Sequence, residues 1–329
     1  MKVCILHKIP GNAQELIKNA GHEVVVNEEE RSLGSEEVRK FVEGTDAILS
    51  LLTDKIDSAV MDAAGPQLKI IANYAVGFDN IDLAAAKQRN IFVTNTPEVL
   101  TEAVAEHTFA LILAVARRIV EADKYVRAGK YHSWKPDLFL GAQLAGKTLG
   151  IVGLGRIGSQ VAKIGHHGFG MEIAYFSRQE DPALEVDLGA KYYSNLEDLL
   201  PIADVVSIHL PLAPETTHLF SQKQISLMKK TAILINTARG PIVDEAALIT
   251  ALKENWLAGA GLDVFEEETG SSTGSTMNHE LITMNNVILT PHIASATLEA
   301  RSEMSRLAAE NIIQALSGES PKNLVQVGP

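Results

Sequence analysis

Residues 150–158 read Gly-Ile-Val-Gly-Leu-Gly-Arg-Ile-Gly, and this stretch decides the fold. The apolar Gly150-Ile151-Val152 suits the end of a buried parallel strand. Gly153, Gly155 and Gly158 then complete G-x-G-x-x-G, and Ser159–Ile164 continues with helical periodicity. Strand, glycine turn and helix start form the context that a dinucleotide-binding fingerprint requires. Gly153 makes the tight turn, Gly155 lets the backbone approach a pyrophosphate, and Gly158 lets helix and strand pack closely. The phosphates belong at the helix N-terminus, beside Arg156 and Ile157, where unpaired N–H groups and the helix dipole favour an anion. Glycine-rich turns are common, so the motif alone is weak; the flanking strand and helix give it weight.

Upstream, apolar strands alternate with helical stretches. Strands are expected at Lys2–His7, Glu23–Val26, Asp46–Leu52, Leu68–Ala72 and Ile91–Thr94. Helices are expected at Ala13–Asn19, from Ser35, at Ser58–Ala64 and at Ile81–Arg89. Ser35-Glu36-Glu37 opens its helix with a capping residue and first-turn acids, and Gly65-Pro66 stops another. This alternation implies a parallel sheet with helices on both faces, complete before the fingerprint begins. Downstream the alternation resumes, with strands at Glu172–Phe176, Asp204–His209, Ala232–Asn236, Gly261–Phe265 and Val287–Leu289. Helices fall near Asn195–Leu200, Gln222–Met228 and Asp244–Lys253. The expected fold is therefore α/β, with two doubly wound parallel-sheet domains. A flavodoxin-like substrate domain takes residues 1–100 plus 293–329, and a Rossmann dinucleotide-binding domain takes 101–292. The helix over Ala296–Leu316 is expected to return to the first domain, because chain termini often lie together. Thr101–Glu121 is the longest helical pattern, apolar on most sides through Phe109, Leu111, Ile112 and Val115. It is expected to be buried between domains or between subunits. Gly129–Ala145 reads as a loop holding Tyr131, Trp134 and Phe139.

The formal charge of −12 over 329 residues argues against nucleic acid or an acidic membrane surface as partner. The one cysteine, Cys4, sits inside the apolar Val3–Leu6, so no disulfide framework is expected and a reducing compartment is. The first residues lack a signal-peptide pattern, and the longest apolar run, Phe109–Ala116, is too short to span a bilayer. The expected setting is the cytoplasm.

Three polar groups stand at C-terminal ends of expected strands, the edge on which such a sheet binds its ligands. They are Asn236-Thr237-Ala238-Arg239-Gly240, Asp263-Val264-Phe265-Glu266-Glu267-Glu268 and Pro291-His292. Taken singly, an Arg at a strand end is more often a surface ion pair, a Glu run a solvated face, and a His beside Pro a turn residue. Their placement on one edge of a dinucleotide fold outweighs those readings. Arg239 can clamp a carboxylate bidentately and polarise a neighbouring carbonyl. His292 can deliver a proton to the carbonyl oxygen as hydride reaches carbon. Glu268, paired to the imidazole, would fix its tautomer and favour its charged form. The remaining strand-end positions, Leu210, Pro211, Thr237, Ala238, Asp263 and Ala294, together with His292, are expected to line the cofactor. No H-E-x-x-H or Cys pair is present, so no metal is expected; the adjacent His166-His167 pair is read as surface.

Over essentially its full length the chain resembles the D-2-hydroxyacid dehydrogenase family. The resemblance rests on GLGRIG, on H-L-P-L at His209–Leu212, on N-T-A-R-G, on G-L-D-V-F and on P-H-I-A-S-A-T. It implies that Arg239, Glu268 and His292 are the catalytic set. In the family the Glu usually precedes a proline; here Thr269 follows, which leaves Glu267 and Glu268 as competing partners for the histidine. Within the family the chain is most similar to glyoxylate/hydroxypyruvate reductases. Tyr74-Ala75-Val76-Gly77-Phe78-Asp79-Asn80 matches their substrate loop, which implies that the Val76 and Gly77 amides bind the substrate carboxylate. Ser133-Trp134-Lys135-Pro136 matches a segment whose Trp reaches a neighbouring subunit's pocket, implying a homodimer with Trp134 as a substrate contact. Phosphite dehydrogenases carry a lysine where Val76 stands. Phosphoglycerate dehydrogenases often add a C-terminal regulatory domain, for which this chain has no room. D-lactate-type activity and a non-catalytic, NAD(H)-sensing corepressor-like protein remain the alternatives.

The cofactor is expected to be NADP(H), with NAD(H) as the alternative. About twenty residues past the glycines, NAD enzymes usually place an acid on the ribose 2′-OH. Here Tyr175-Phe176 is followed by Ser177-Arg178, a hydroxyl and a guanidinium suited to a 2′-phosphate. Glu180-Asp181 is the opposing feature, if the turn folds back.

Overall fold

The computed structural model describes residues 1–29, 31–268 and 278–325. The chain divides into two compact units, Met1–Leu100 with Ala296–Pro329, and Thr101–Ser295. The first runs β1 (Lys2–Ile5), α1 (Ala13–Asn19), β2 (Glu23–Val26), α2 (Ser35–Phe41), β3 (Ala47–Ser50), α3 (Ser58–Ala64), β4 (Ile70–Asn73), α4 (Leu83–Gln88) and β5 (Phe92–Thr94). Its sheet has the order β2-β1-β3-β4-β5, all parallel, the doubly wound arrangement of flavodoxin-like folds. β3 and β4 are buried at every position, as strands covered on both faces must be. The C-terminal helix, Leu298–Ser317, packs on α1 and on β3, β4 and β5 of this unit.

The second unit begins with α5 (Thr101–Ala116) and α6 (Ile119–Arg127). It continues with β6 (Thr148–Val152), α7 (Arg156–Lys163), β7 (Glu172–Phe176), α8 (Pro182–Leu188), β8 (Lys191–Tyr193), α9 (Leu196–Leu199) and β9 (Val205–Ile208). It closes with α10 (Gln222–Ser226), β10 (Ile233–Asn236), α11 (Glu245–Lys253), β11 (Gly259–Leu262), α12 (His279–Thr283) and β12 (Val287–Leu289). The parallel strand order is β12-β11-β10-β9-β6-β7-β8. Strand succession reverses between β6 and β9, which makes the C-terminal end of β6 the switch point where such sheets bind ligands.

Three expectations need correction. The helical pattern Thr101–Glu121 is two helices, because Arg118 adopts a left-handed backbone (φ 54°) and starts α6 afresh. Nor does α5 need another domain or subunit to cover its apolar sides. Within its own unit it lies over β10, β11 and β12 and against α7, and Phe109 stacks on Phe169 at 4.9 Å. The strand expected over Gly261–Phe265 runs instead over Gly259–Leu262. Its glycines give way to the helix: a Cβ at Gly259 would stand 2.9 Å from Val115, and one at Gly261 would stand 3.1 Å from Leu111. Closeness to the helix thus calls for poor strand formers, which hides the strand from propensity. Among the described residues no helix is long and apolar enough to cross a membrane.

Candidate active site

The glycine fingerprint forms the turn between β6 and α7. Gly153 has φ 101°, and a Cβ there would stand 2.7 Å from the His209 carbonyl oxygen, so both conformation and space require glycine. A Cβ on Gly158 would meet the Gly153 oxygen at 2.2 Å, which is the close helix–strand approach the motif implies. At Gly155 nothing lies within 4 Å of a built Cβ, and no side chain caps the N-terminal amides of α7. This turn fits a dinucleotide pyrophosphate: the space over Gly155 is open, and the helix start has no capping side chain in the way of an anion. Arg156 is exposed and Ile157 half-buried at the start of the helix.

Ser177 and Arg178 follow β7, half-buried and exposed respectively. The competing acids stand differently. Asp181 caps α8, its Oδ1 accepting from Leu184 N–H at 3.0 Å, with Pro182 in the first turn. The Asp181 N–H donates to the Tyr175 hydroxyl at 2.8 Å, and that hydroxyl donates to Glu185 at 2.6 Å. Burial first, and then Glu185 beside it, pushes the Tyr175 phenol up to about 12, so it remains a neutral donor. Asp181 is thus committed to the helix start, and Glu180 is exposed.

Leu210 and Pro211 follow β9, Thr237 and Ala238 follow β10, Asp263 follows β11, and His292 and Ala294 follow β12. All of them stand at the C-terminal edge of one sheet. The Asn236 side chain shapes the loop after β10, accepting from Ala238 N–H at 3.0 Å and donating to the Arg239 carbonyl at 2.9 Å. Thr237 is buried, its hydroxyl 3.1 Å from Thr108 of α5. Arg239 Nη1 donates to the Ala238 carbonyl at 2.8 Å. A Cβ on Gly240 would fall 1.8 Å from the Phe265 oxygen, so this glycine brings the arginine loop against the segment that carries the acids.

The acid run resolves into three roles. Glu266 pairs with His218 at 2.6 Å, and its N–H donates to Glu245 at 2.8 Å. Glu267 is exposed. Glu268 Oε1 accepts from Phe265 N–H at 3.0 Å, and its Oε2 lies 2.7 Å from His292 Nδ1. Glu268 is therefore the histidine's partner. The anchored carboxylate fixes Nδ1 and leaves Nε2 as the ring nitrogen for other chemistry.

His292 itself has φ 53°, a left-handed conformation that costs a non-glycine residue about 1–2 kcal/mol. Asp263 holds it there. Its carbonyl accepts from His292 N–H at 2.9 Å. Its Oδ1 accepts from the Thr290 hydroxyl at 2.6 Å and from Ile293 N–H at 2.9 Å, and its Oδ2 accepts from Ala294 N–H at 2.7 Å. His107 on α5 lies 3.4 Å from the same carboxylate. Burial alone would raise the Asp263 carboxyl, but these hydrogen bonds outweigh it and hold it below the usual range. With its side chain fully buried and both oxygens occupied by the protein, Asp263 acts on the histidine loop. His107 and Thr290 were not legible as part of this support; their only signal is polarity beside an apolar helix and a strand end.

Residues 109–294 match the family model described as D-isomer specific 2-hydroxyacid dehydrogenase, NAD binding domain. This chain belongs to that family. A glyoxylate reductase from Thermococcus litoralis is 50% identical over 328 residues, 98% of this chain and 96% of the relative. The TT0316 protein of Thermus thermophilus superposes with a TM-score of 0.91 at 45% identity, over 99% of this chain and 100% of the other. An NADPH-dependent glyoxylate/hydroxypyruvate reductase from Sinorhizobium meliloti, in complex with NADP and malonate, gives 0.82 at 32% identity, over 98% and 96%. As a D-2-hydroxyacid dehydrogenase, the chain presents Arg239, Glu268 and His292 from its NAD-binding unit. Val76 and Gly77 belong to the other unit, and Trp134, 77% exposed, lies on the loop after α6.

Proposed function

We propose that this dehydrogenase reduces glyoxylate, and by extension hydroxypyruvate, to the 2-hydroxy acid. The observation that carries the reading is the Glu268–His292 pair at 2.7 Å, on the sheet edge that also holds Arg239 and the glycine turn. The T. litoralis reductase supports the choice of substrate. A reduced nicotinamide, when bound, supplies the hydride. The chain's residues do the rest. Arg239 clamps the carboxylate and polarises the carbonyl. His292 Nε2 gives its proton to the carbonyl oxygen as carbon gains hydride, leaving the C–OH product and a neutral imidazole. Glu268 holds Nδ1 and keeps Nε2 turned to the reaction. Val76 and Gly77 amides receive the carboxylate. Cofactor oxidation followed by absorbance over a panel of 2-keto acids tests this. Turnover is expected with glyoxylate and hydroxypyruvate, and silence across the panel would return the chain to a cofactor-sensing role.

NADP(H) is the cofactor we assign, on Ser177 and Arg178 and on the capping duty that removes Asp181 from competition. A charge-assisted contact contributes about 1.5–3 kcal/mol. Arg178→Ala is therefore expected to raise the NADPH KM by roughly one to two decades and leave NADH kinetics nearly unchanged. A wild-type preference for NADH, or equal weakening of both, defeats the assignment.

We further assign a homodimer in the cytoplasm. Because α5 is covered by its own sheet, the support moves to the stretch after it, where Ile119, Val126, Tyr131, Trp134 and Leu140 are all exposed. Exposed apolar side chains gathered along one stretch of chain suit an interaction surface. Sedimentation at assay concentration should give a dimer, and a fully active monomer would contradict it.

A further inference from the structure

The loop after β4 has an unusual pattern of backbone tethers. The Ala75 carbonyl accepts from Thr96 N–H at 2.9 Å. The Val76 carbonyl accepts from Asn95 Nδ2 at 2.8 Å, and the Gly77 carbonyl from Asn73 Nδ2 at 2.8 Å. In a planar trans peptide the carbonyl of one residue and the N–H of the next point in opposite directions. Holding the carbonyls of 75, 76 and 77 therefore aims the amides of Val76, Gly77 and Phe78 away from the tethers. Among the described residues none of these three amides donates to a backbone carbonyl. Successive backbone N–H groups presented together make an anion-binding concavity.

The tethers are themselves fixed. The Asn73 side-chain oxygen accepts from the Ser50 hydroxyl at 3.0 Å and from Asn80 Nδ2 at 3.2 Å. Asn80 Nδ2 also donates to the Leu51 and Asp54 carbonyls, both at 2.9 Å. Asp54 accepts from Leu51 N–H at 2.8 Å and pairs with His7 at 2.8 Å. Asn95 is pinned at its own N–H, which donates to the Asn323 carbonyl at 3.3 Å. Asn73 is fully buried at the C-terminal end of β4, so its amide cannot turn to water instead.

We propose that Asn95 and Asn73 are positioning residues for the substrate carboxylate, and that the cradle they set includes the Phe78 amide as well as those of Val76 and Gly77. This rests on the reading that the loop binds that carboxylate. A substrate as small as a two-carbon keto acid offers few contacts, so donors ordered before binding account for much of its affinity.

Steady-state kinetics with glyoxylate and NADPH test the proposal, with thermal midpoints measured beside them. Asn95→Leu and Asn95→Ala remove the donor to the Val76 carbonyl without adding charge. The glyoxylate KM should rise about tenfold or more, equivalent to one lost charge-assisted contact. The kcat and the NADPH KM should stay within about twofold, a split that general loosening of the fold would not produce. If the midpoint shows that both Asn95 variants fail to fold, Asn73→Ala carries the same test through the Gly77 carbonyl. Folded variants with an unchanged glyoxylate KM overturn the proposal. Gly77→Pro separates the two levels, because it deletes one amide hydrogen. A raised KM there with inert Asn95 variants rejects the positioning role alone; an unchanged KM in all of them rejects the carboxylate reading too.

Discussion

Replacing His292 by alanine is expected to lower kcat by about two to four decades, the usual worth of a positioned general acid. The KM values should change far less, because the ring is asked to act on the oxygen only as hydride arrives. Glu268→Gln should fall between wild type and this variant. Glutamine keeps a hydrogen-bonding group on Nδ1, from which Glu268 Oε2 stands 2.7 Å away, but it loses the charge-assisted hydrogen bond that holds the ring. The kcat should therefore drop, by less than for the alanine at His292. Glu267→Gln, at an exposed carboxylate, should leave kcat unchanged. A kcat that falls for Glu267→Gln and not for Glu268→Gln would reverse the roles of the two acids.

Arg239→Ala is expected to cost about two to three decades in kcat, the scale of losing one donor aimed at developing oxyanion charge. It should also raise the glyoxylate KM by about one to two decades, since the same guanidinium holds the carboxylate. Arg239→Lys should recover only part of either, because an ammonium lacks the planar fork. A variant with raised KM and intact kcat would assign Arg239 to binding alone. The loop itself should survive the change. Asn236 and the close approach of Gly240 to Phe265 shape it without the guanidinium.

The fingerprint was legible because two of its glycines answer a backbone demand: a left-handed turn at Gly153, and at Gly158 a helix–strand approach that leaves no room for a Cβ. The parallel sheets were legible for a similar reason, since strands buried on both faces read as unbroken apolar runs. Periodicity reports how much of a helix is buried, not against what. So the apolar α5 suggested an interface, although its cover is β10–β12 of its own unit. The break at Arg118 left no signal, because nothing in the residue type demands a left-handed backbone. In Glu266-Glu267-Glu268 three identical side chains compete, and only the fold separates them, by His218, by solvent and by His292. The Asn73 and Asn95 tethers were illegible too. Asparagines near strand ends read as turn residues, and the Asn73 network reaches back to Ser50 and Leu51 in a different strand and loop.

The fold is proposed to move one hydride and one proton onto a 2-keto acid, the hydride from the cofactor and the proton from His292. Mass and stereochemical analysis of the product tests it most directly. NADPH carrying deuterium on the transferable position of the nicotinamide is incubated with hydroxypyruvate and the purified protein. The expected product is D-glycerate with one deuterium on C2, with none of it formed by His292→Ala on the same timescale. Unlabelled glycerate, the L isomer, or undiminished labelling by the alanine variant would contradict it.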